Sequence, residues 1–361
     1  MRLPAIKYVS PVSVYLLALV SFISHGWLCW LPLLYAWVIL PISELLIRTD
    51  EKNLSVAEEE LAKNDRVYDY VLYGFVGLQY AALCIFLLTV SSEHWTGWEL
   101  AGKIGTMGLL CGTFGINIGH ELGHRSAKKE QLLAKAALLT SLYLHFFIEH
   151  NRGHHRHVAT PNDPSSARYN EPVYLFYFRT IIFSYLSAWK IANADMHKKE
   201  LPAMHLKNEM IQAHLVQLLF VTVIWLFFGF TVTIYFGLAA LIGILLLETV
   251  NYIEHYGLQR KQTGAYQYER ALPVHSWNSD HVLGRIMLFE LSRHSDHHFL
   301  ASKKYQLLKS HASAPQLPTG YPGSMILSLV PPLWFHIMNR RIKQLHRSVN
   351  DPVSEGSLKQ V

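Results

Sequence analysis

Residues 210–258 read MIQAHLVQLLFVTVIWLFFGFTVTIYFGLAALIGILLLETVNYIEHYGL. The first 38 of them, Met210 to Leu247, contain no Asp, Glu, Lys or Arg. A membrane-crossing helix needs about 20 mostly apolar residues. This run is long enough for two, and Gly229 is the natural place to turn. The stretch is therefore predicted to be a helical hairpin in a bilayer. Its second arm ends in the polar group Glu254-His255-Tyr256-Gly257-Leu258.

Three further apolar stretches extend the pattern. Tyr8 to Ser43 is uncharged for 36 residues, enough for two spans turning at His25-Gly26-Trp27. Tyr70 to Val90 is uncharged for 21 residues. Trp98 to Gly119 is broken only by Glu99 and Lys103 near its start. The expectation is an all-α integral membrane protein with six transmembrane helices, at about 8–24, 28–47, 68–91, 98–119, 210–229 and 232–252. Residues 1–361 form one membrane-embedded domain, with cytoplasmic catalytic segments at 120–209 and 253–361. Ala136 to Ile148 is apolar but too short to span, so it reads as buried or interfacial. Pro172 to Ala192 and Met325 to Met338 read as aromatic-rich segments lying along the surface.

Composition agrees. Only 16% of the 361 residues are charged and 51% are hydrophobic, against about 25% charged in ordinary soluble domains. That argues against a soluble enzyme and excludes a disordered chain. Cys29, Cys84 and Cys111 lie in apolar runs and form no CxxC, which excludes a disulfide scaffold, a zinc ribbon or a fused rubredoxin. Each reads as a small buried hydrophobe.

Lysine and arginine set the orientation. The turns near 25–27, 91–97 and 229–233 contain none, whereas 120–210 contains 12 and 256–361 contains 13. Both large polar segments, and the N-terminus with Arg2 and Lys7, are placed in the cytoplasm. The first apolar run has no small-residue cleavage site after it and reads as a retained helix. The net charge of +6 then reports orientation in a membrane, not a nucleic-acid partner.

The 21 histidines are the second decisive feature. They gather at His120-Glu121-Leu122-Gly123-His124, Glu149-His150-Asn151-Arg152-Gly153-His154-His155, Glu254-His255 and Arg293-His294-Ser295-Asp296-His297-His298. The six-span topology puts all four groups on one side of the membrane. His120 and His124 are i,i+4 and share a helical face. His150 and His154 repeat that spacing, with His155 adjacent to reach a second centre. His294 has partners at i+3 and i+4, His297 and His298. Adding His255 gives nine candidate ligands, enough for two metal ions with four or five each. Imidazole suits zinc, copper, iron and nickel alike, so the residues do not choose the metal.

The other histidines read as supporting or structural residues. Glu121, Glu149, Glu254 and Asp296 accompany the clusters and are expected to accept the second ring N–H of the ligands, fixing tautomer and basicity. Arg152, Arg156 and Arg293 are interleaved with the clusters. They read either as partners of these acids or as a docking charge for an acidic electron donor.

HELGH at 120–124, EHNRGHHRHVATPNDP at 149–164, NYIEHYGL at 251–258 and RHSDHH at 293–298 together resemble the integral-membrane alkane 1-monooxygenases. HSWN at 275–278 and APQLPTGYPG at 314–323 fit the same pattern, so the resemblance runs from about Leu33 to Arg341. The three-box arrangement alone is shared with fatty-acid desaturases and membrane hydroxylases. Tyr-Gly-Leu after the Glu-His pair, with HSDHH, points to the alkane branch. Arg125 follows the first box where lysine is usual, and Glu290 precedes the last where histidine or another residue is expected.

The resemblance implies two non-haem iron ions held by these nine histidines. It implies terminal hydroxylation of medium- to long-chain alkanes to primary alcohols, using O2. The electrons come from rubredoxin, a separate chain here, which is reduced by an NAD(P)H-dependent reductase. An apolar substrate would enter from membrane lipid through a channel among the helices. Trp30, Tyr35 and Trp37 are placed there as bulky residues limiting its depth, with interfacial packing as the plainer alternative.

Rival readings remain. HELGH also matches the HExxH of a membrane zinc protease with Glu121 as base, but one zinc leaves most of the histidines unexplained. A histidine-rich metal transporter would place ionisable groups near mid-membrane, where these runs have almost none. Within the resembling group, hydroxylation of alkyl-aromatic side chains or fatty-acyl chains, or desaturation, is the nearer alternative.

Overall fold

The apolar runs become helices, and their length decides how they pack. The computed structural model describes residues 3–92, 94–265 and 267–350. Arg2, used above for orientation, and residues 351–361 of the last segment lie outside these. Gly26–Leu46, Val67–Ser92 and Glu209–His255 are long and apolar enough to cross a membrane. Lys7–Ile23 is a shorter apolar helix.

The 47-residue helix Glu209–His255 breaks at Gly229, where φ is 82°. Glycine tolerates this left-handed conformation because it has no Cβ. The two arms fold back on each other. Phe220 packs edge-on against Phe236 at 5.8 Å, positions that one straight helix would hold about 24 Å apart. Leu226, Phe227 and Phe230 near this bend are 70–79% exposed. So large an apolar surface facing outward fits lipid, not water. Cys84 is also exposed on the outer side of Val67–Ser92, whereas Cys29 and Cys111 are buried as expected.

Helix Gly97–Leu110 runs on through a π segment, Cys111–Ile116, into Asn117–Gly123. It lies in the centre of the bundle. A Cβ on Gly108 would come within 2.5 Å of Ile242, and one on Gly243 within 2.6 Å of Cys111. Small residues thus let this helix and the second hairpin arm approach closely, as membrane helices do. The approach aims HELGH at one end of the bundle.

At the opposite end, Lys103 is fully buried. Its Nζ donates to the carbonyls of Ser21, Phe22 and Ser24 at 2.9, 2.7 and 2.9 Å. It also lies 3.5 Å from the Trp95 ring centre. Carbonyls at the end of Val12–Ile23 have no partner within that helix, and the ammonium supplies one. Lys103→Met is expected to lower stability by about 1–3 kcal/mol. A fall in the thermal transition in detergent, with the metal content unchanged, checks this.

Beyond the bundle, short elements build a polar cap. The stretch Ala136–Ile148 is split between the end of Lys128–Leu139 and the start of His145–Glu149, and most of it is buried. Helix Val173–Lys198 buries Phe176, Thr180, Ser184 and Ala188 and exposes Leu175, Phe178, Ile182 and Leu186, a one-sided surface helix. The segment expected over 325–338 is two helices, Tyr321–Ser328 and Pro331–Asn350, because Pro331 starts a new one. A two-stranded hairpin pairs Gln262–Gly264 with Gln267–Tyr268.

Candidate metal centre

Nine histidines meet in two groups at the base of this cap. His120, His124, His150, His155 and His297 form one, and His154, His255, His294 and His298 the other. Within each group the ligand atoms lie within 4.8 Å of one another. His120 Nε2 is 2.9 Å from His297 Nε2, and His155 Nε2 is 3.1 Å from both His150 and His297. In the second group, Nε2 atoms of His154 and His298 are 3.2 Å apart, as are those of His294 and His255. Metal–nitrogen bonds of about 2.1 Å place adjacent ligands about 3.0 Å apart and opposite ones about 4.2 Å apart. The residues therefore fit a metal in each group.

Burial makes imidazolium costly here. It pulls His120, His124, His150, His155, His255, His294 and His298 well below their ordinary pKa, and His297 to about 3. Neutral imidazole is the form that ligates. His154 differs. Burial again opposes its charge, but the Asp163 carboxylate outweighs it and holds the pKa above the ordinary value.

The partition of the second box departs from the i,i+4 expectation. His150–His154 is a π segment, in which the N–H of His155 reaches back to the carbonyl of His150. That i→i+5 spacing puts His150 and His155 on one face and turns His154 to the other group. π-Bulges concentrate at functional sites, and the segments Cys111–Ile116 and Tyr35–Ile39 also border this one. In His294–Phe299, His294 and His298 face one group and His297 the other.

The carboxylates behave differently from expectation. Glu121 accepts from Arg125 at 2.5 Å and from the Tyr305 amide at 3.2 Å. Its partners are this guanidinium and amide, not a clustered ring. Glu149 accepts from Ser187 at 3.2 Å, and burial pushes its pKa to about 8. Asp296 takes Lys303 at 2.6 Å, His311 at 2.7 Å and the Lys309 amide at 2.8 Å. None of these three accepts from a clustered ring. Glu254 does meet one, its Oε2 lying 3.2 Å from His294 Nε2. That is the nitrogen facing the group, not the outer one. Its Oε1 accepts from Tyr321 at 2.7 Å.

The outer-nitrogen role falls to Asp163. Its Oδ2 is 2.9 Å from His154 Nδ1 and accepts from Ser166 at 2.6 Å. Asp163 lies in a loop nine residues after His154, where no helical periodicity signals it. The TPNDP run around it was the only trace in the sequence.

The arginines separate too. Arg293 is 3% exposed and donates to Asp280, to the Leu308 carbonyl and to the Lys52 carbonyl at 3.3, 2.8 and 2.9 Å. It is a structural strut, which corrects its reading as a docking charge. Arg152 pairs with Asp195 and Glu209. Arg156 is exposed, next to half-buried His155.

An apolar cavity of about 100 Å³ reaches the centre. Leu40, Leu109, Phe114 and Met287 help line it, and His120, His150 and His294 close one side. Tyr35 and Trp37 belong to its wall. Trp30 does not. It stacks on Trp98 at 4.3 Å and donates to that residue's carbonyl, the interfacial packing alternative.

Comparison with known proteins identifies the arrangement. Residues 93–325 match the family model described as fatty acid desaturase. The chain is 37% identical over 320 residues to alkane 1-monooxygenase 2 of Pseudomonas aeruginosa, covering 87% of this chain and 84% of that one. It is 34% identical over 327 residues to alkane 1-monooxygenase 2 of Alcanivorax borkumensis, covering 89% and 85%. Similarity to the hydroxylase component of the xylene/toluene monooxygenase of Pseudomonas putida is lower, 26% over 243 residues, covering 66% and 63%. With the clustered histidines and apolar helices, these identities point to a membrane enzyme of the non-haem iron type. The chain belongs to the alkane 1-monooxygenase family, within the membrane fatty-acid desaturase and hydroxylase superfamily.

Proposed function

We propose that this enzyme hydroxylates the terminal carbon of medium- to long-chain alkanes, giving primary alcohols. The proposed co-reactants are O2 and two electrons from rubredoxin, itself reduced by an NAD(P)H-dependent reductase. The nine histidines are proposed to hold two iron ions, one in each group. Six spans in a bacterial inner membrane, with the histidines and both termini cytoplasmic, complete the reading.

One observation carries it: an apolar cavity ends on histidines of both groups. An unactivated methyl group offers no charge or acidic proton to an acid–base site. Bound iron supplies the oxidising power that such a bond requires. The chain's own residues bind and orient. Leu40, Leu109, Phe114 and Met287 take the alkyl chain out of water, worth about 0.8 kcal/mol for each CH2 buried. A narrow apolar wall also keeps bulk water from the reacting end. Exposed Arg156, beside His155, suits the approach of an acidic electron donor.

Reconstitution with rubredoxin and its reductase, followed by product analysis, tests this. Octane is expected to give 1-octanol in preference to 2-octanol. Preferential oxidation of alkyl-aromatic side chains or fatty-acyl chains, or an alkene product, would contradict the substrate assignment. Trp37→Ala enlarges the cavity wall and is expected to raise turnover of longer alkanes relative to octane. An unchanged chain-length profile would remove Trp37 from the substrate channel.

A further inference from the structure

Most buried acids of the cap are held by cations: Glu121 by Arg125, Glu290 by Arg285 and Asp296 by Lys303. Glu248 differs from these, as Glu149 and Glu254 do, in having no Lys or Arg partner among the described residues. It is 1% exposed and is the first acid after the long apolar run. Its three donors are uncharged: Tyr143 Oη at 2.9 Å, Thr180 Oγ1 at 2.9 Å and Asn251 Nδ2 at 3.1 Å. A carboxyl without a fixed counter-charge can change protonation state with only local rearrangement of hydroxyls. Structural acids locked to arginine cannot do this.

The surroundings of Glu248 lead in two directions. Toward the centre, Asn251 is one helical turn away and lines the cavity with Glu254 and His294. Thr180 Oγ1 lies 3.5 Å from Ser165 Oγ, and the Ser165 amide donates to Asp163. Toward the surface, the Tyr143 ring packs on His145 at 4.4 Å, and His145 on Tyr185 at 5.3 Å. Tyr185 Oη is 2.9 Å from Nε2 of half-buried His214. The His145 ring thus packs on both tyrosines, and its buried Nε2 has no hydrogen-bond partner among the described residues, which suits a bridging water.

The proposed reaction needs such a line. Its balance is RH + O2 + 2 electrons + 2 protons giving ROH + H2O. One C–H bond and the O–O bond break. One oxygen atom enters the alcohol, and the other leaves as water. The reduced one-electron donor protein supplies the electrons, and two protons must cross an apolar, buried shell from solvent. We propose that Glu248, linked through Tyr143 toward His145, Tyr185 and His214, is the relay that carries these protons to the cavity beside Asn251. Glu248 touches neither substrate nor the clustered histidines, so it acts at one remove. This role rests on the monooxygenase reading above.

Glu248→Gln keeps the size and an acceptor oxygen but carries no proton. In lipid discs with rubredoxin, its reductase and octane, this variant is expected to keep its iron and its octane affinity. Alcohol formation is expected to fall about a hundredfold. The solvent deuterium isotope effect should rise, and consumed electrons should appear as hydrogen peroxide. Glu248→Asp should recover part of the rate. Tyr143→Phe should fall about tenfold with the same rise in isotope effect.

Wild-type turnover and isotope effect in either Glu248→Gln or Tyr143→Phe would overturn the relay, and so would loss of iron from Glu248→Gln. A second readout does not depend on turnover. Dithionite reduction of the wild type should perturb an infrared carboxyl band that Glu248→Gln lacks, and its absence from the wild type would also overturn the relay. Failure of the wild type to hydroxylate octane would instead indict the functional reading, leaving the infrared result to judge Glu248.

Discussion

Alanine at His294 is expected to remove one metal ion from each chain and to abolish hydroxylation. His294 belongs to the group of four, with His154, His255 and His298. Losing it leaves three rings. It also leaves Glu254 Oε2, 3.2 Å from its Nε2, without that neighbour. Three rings can still hold an ion only with solvent completing its shell, and Glu254, buried beside the vacated ring, is left to face that solvent, so binding is expected to weaken to the point of loss on purification. His294 also closes one side of the apolar cavity, so the substitution opens the reacting end to water. The group of five offers an internal control. His124→Ala leaves His120, His150, His155 and His297, still four rings, and is expected to retain more metal than His294→Ala. Metal content and alcohol formation, measured together in the two variants, check this. Full metal and turnover in His294→Ala would remove that residue from the proposed ligand set.

The second large effect is expected at Asp163, which is fully buried within its pair with His154. A carboxylate on the outer nitrogen fixes the tautomer, so that the inner nitrogen presents its lone pair. Removing such a partner typically costs 10- to 100-fold in metal affinity or activity. Asp163→Asn places a neutral amide against His154 Nδ1 and disturbs the bonds from Ser166 and the Ser165 amide. Metal affinity by chelator competition is expected to fall within about that range. Ser166→Ala, which removes only one donor to Asp163, should fall less. Equal affinity in Asp163→Asn and wild type would show that the His154 ring is oriented by packing alone.

The sequence is most readable where one physical demand dominates. A bilayer requires long uncharged helices, so the hairpin of 210–258 and its bend at Gly229 can be read directly. Histidine spacing likewise points to a metal region. It fails where a short-range rule meets an irregular helix. His150 and His154 look like partners at i,i+4, yet the π segment over them gives His155 to His150 and sends His154 to the other group. Nothing in the residue types announces that extra residue per turn. Charge is equally ambiguous. Arg293 sits between Ser292 and His294 as a surface cation would, but tertiary contacts from Asp280 and residues 50–52 bury it. Asp163 and Glu248 are reached only through folding, because His154, and Tyr143 with Thr180, lie on other elements. Trp30 and Trp37 are only seven positions apart in one apolar run. Only the packing shows that one meets Trp98 while the other lines the cavity.

The central claim is that the two histidine groups are two iron sites in one monooxygenase. Metal analysis of the purified, iron-supplied chain tests it most directly. The expected result is two irons per chain, one for each group. Loss of both should occur on chelation, and hydroxylation should return only as iron is restored. A single zinc per chain, or full activity with one group emptied by substitution, would contradict it.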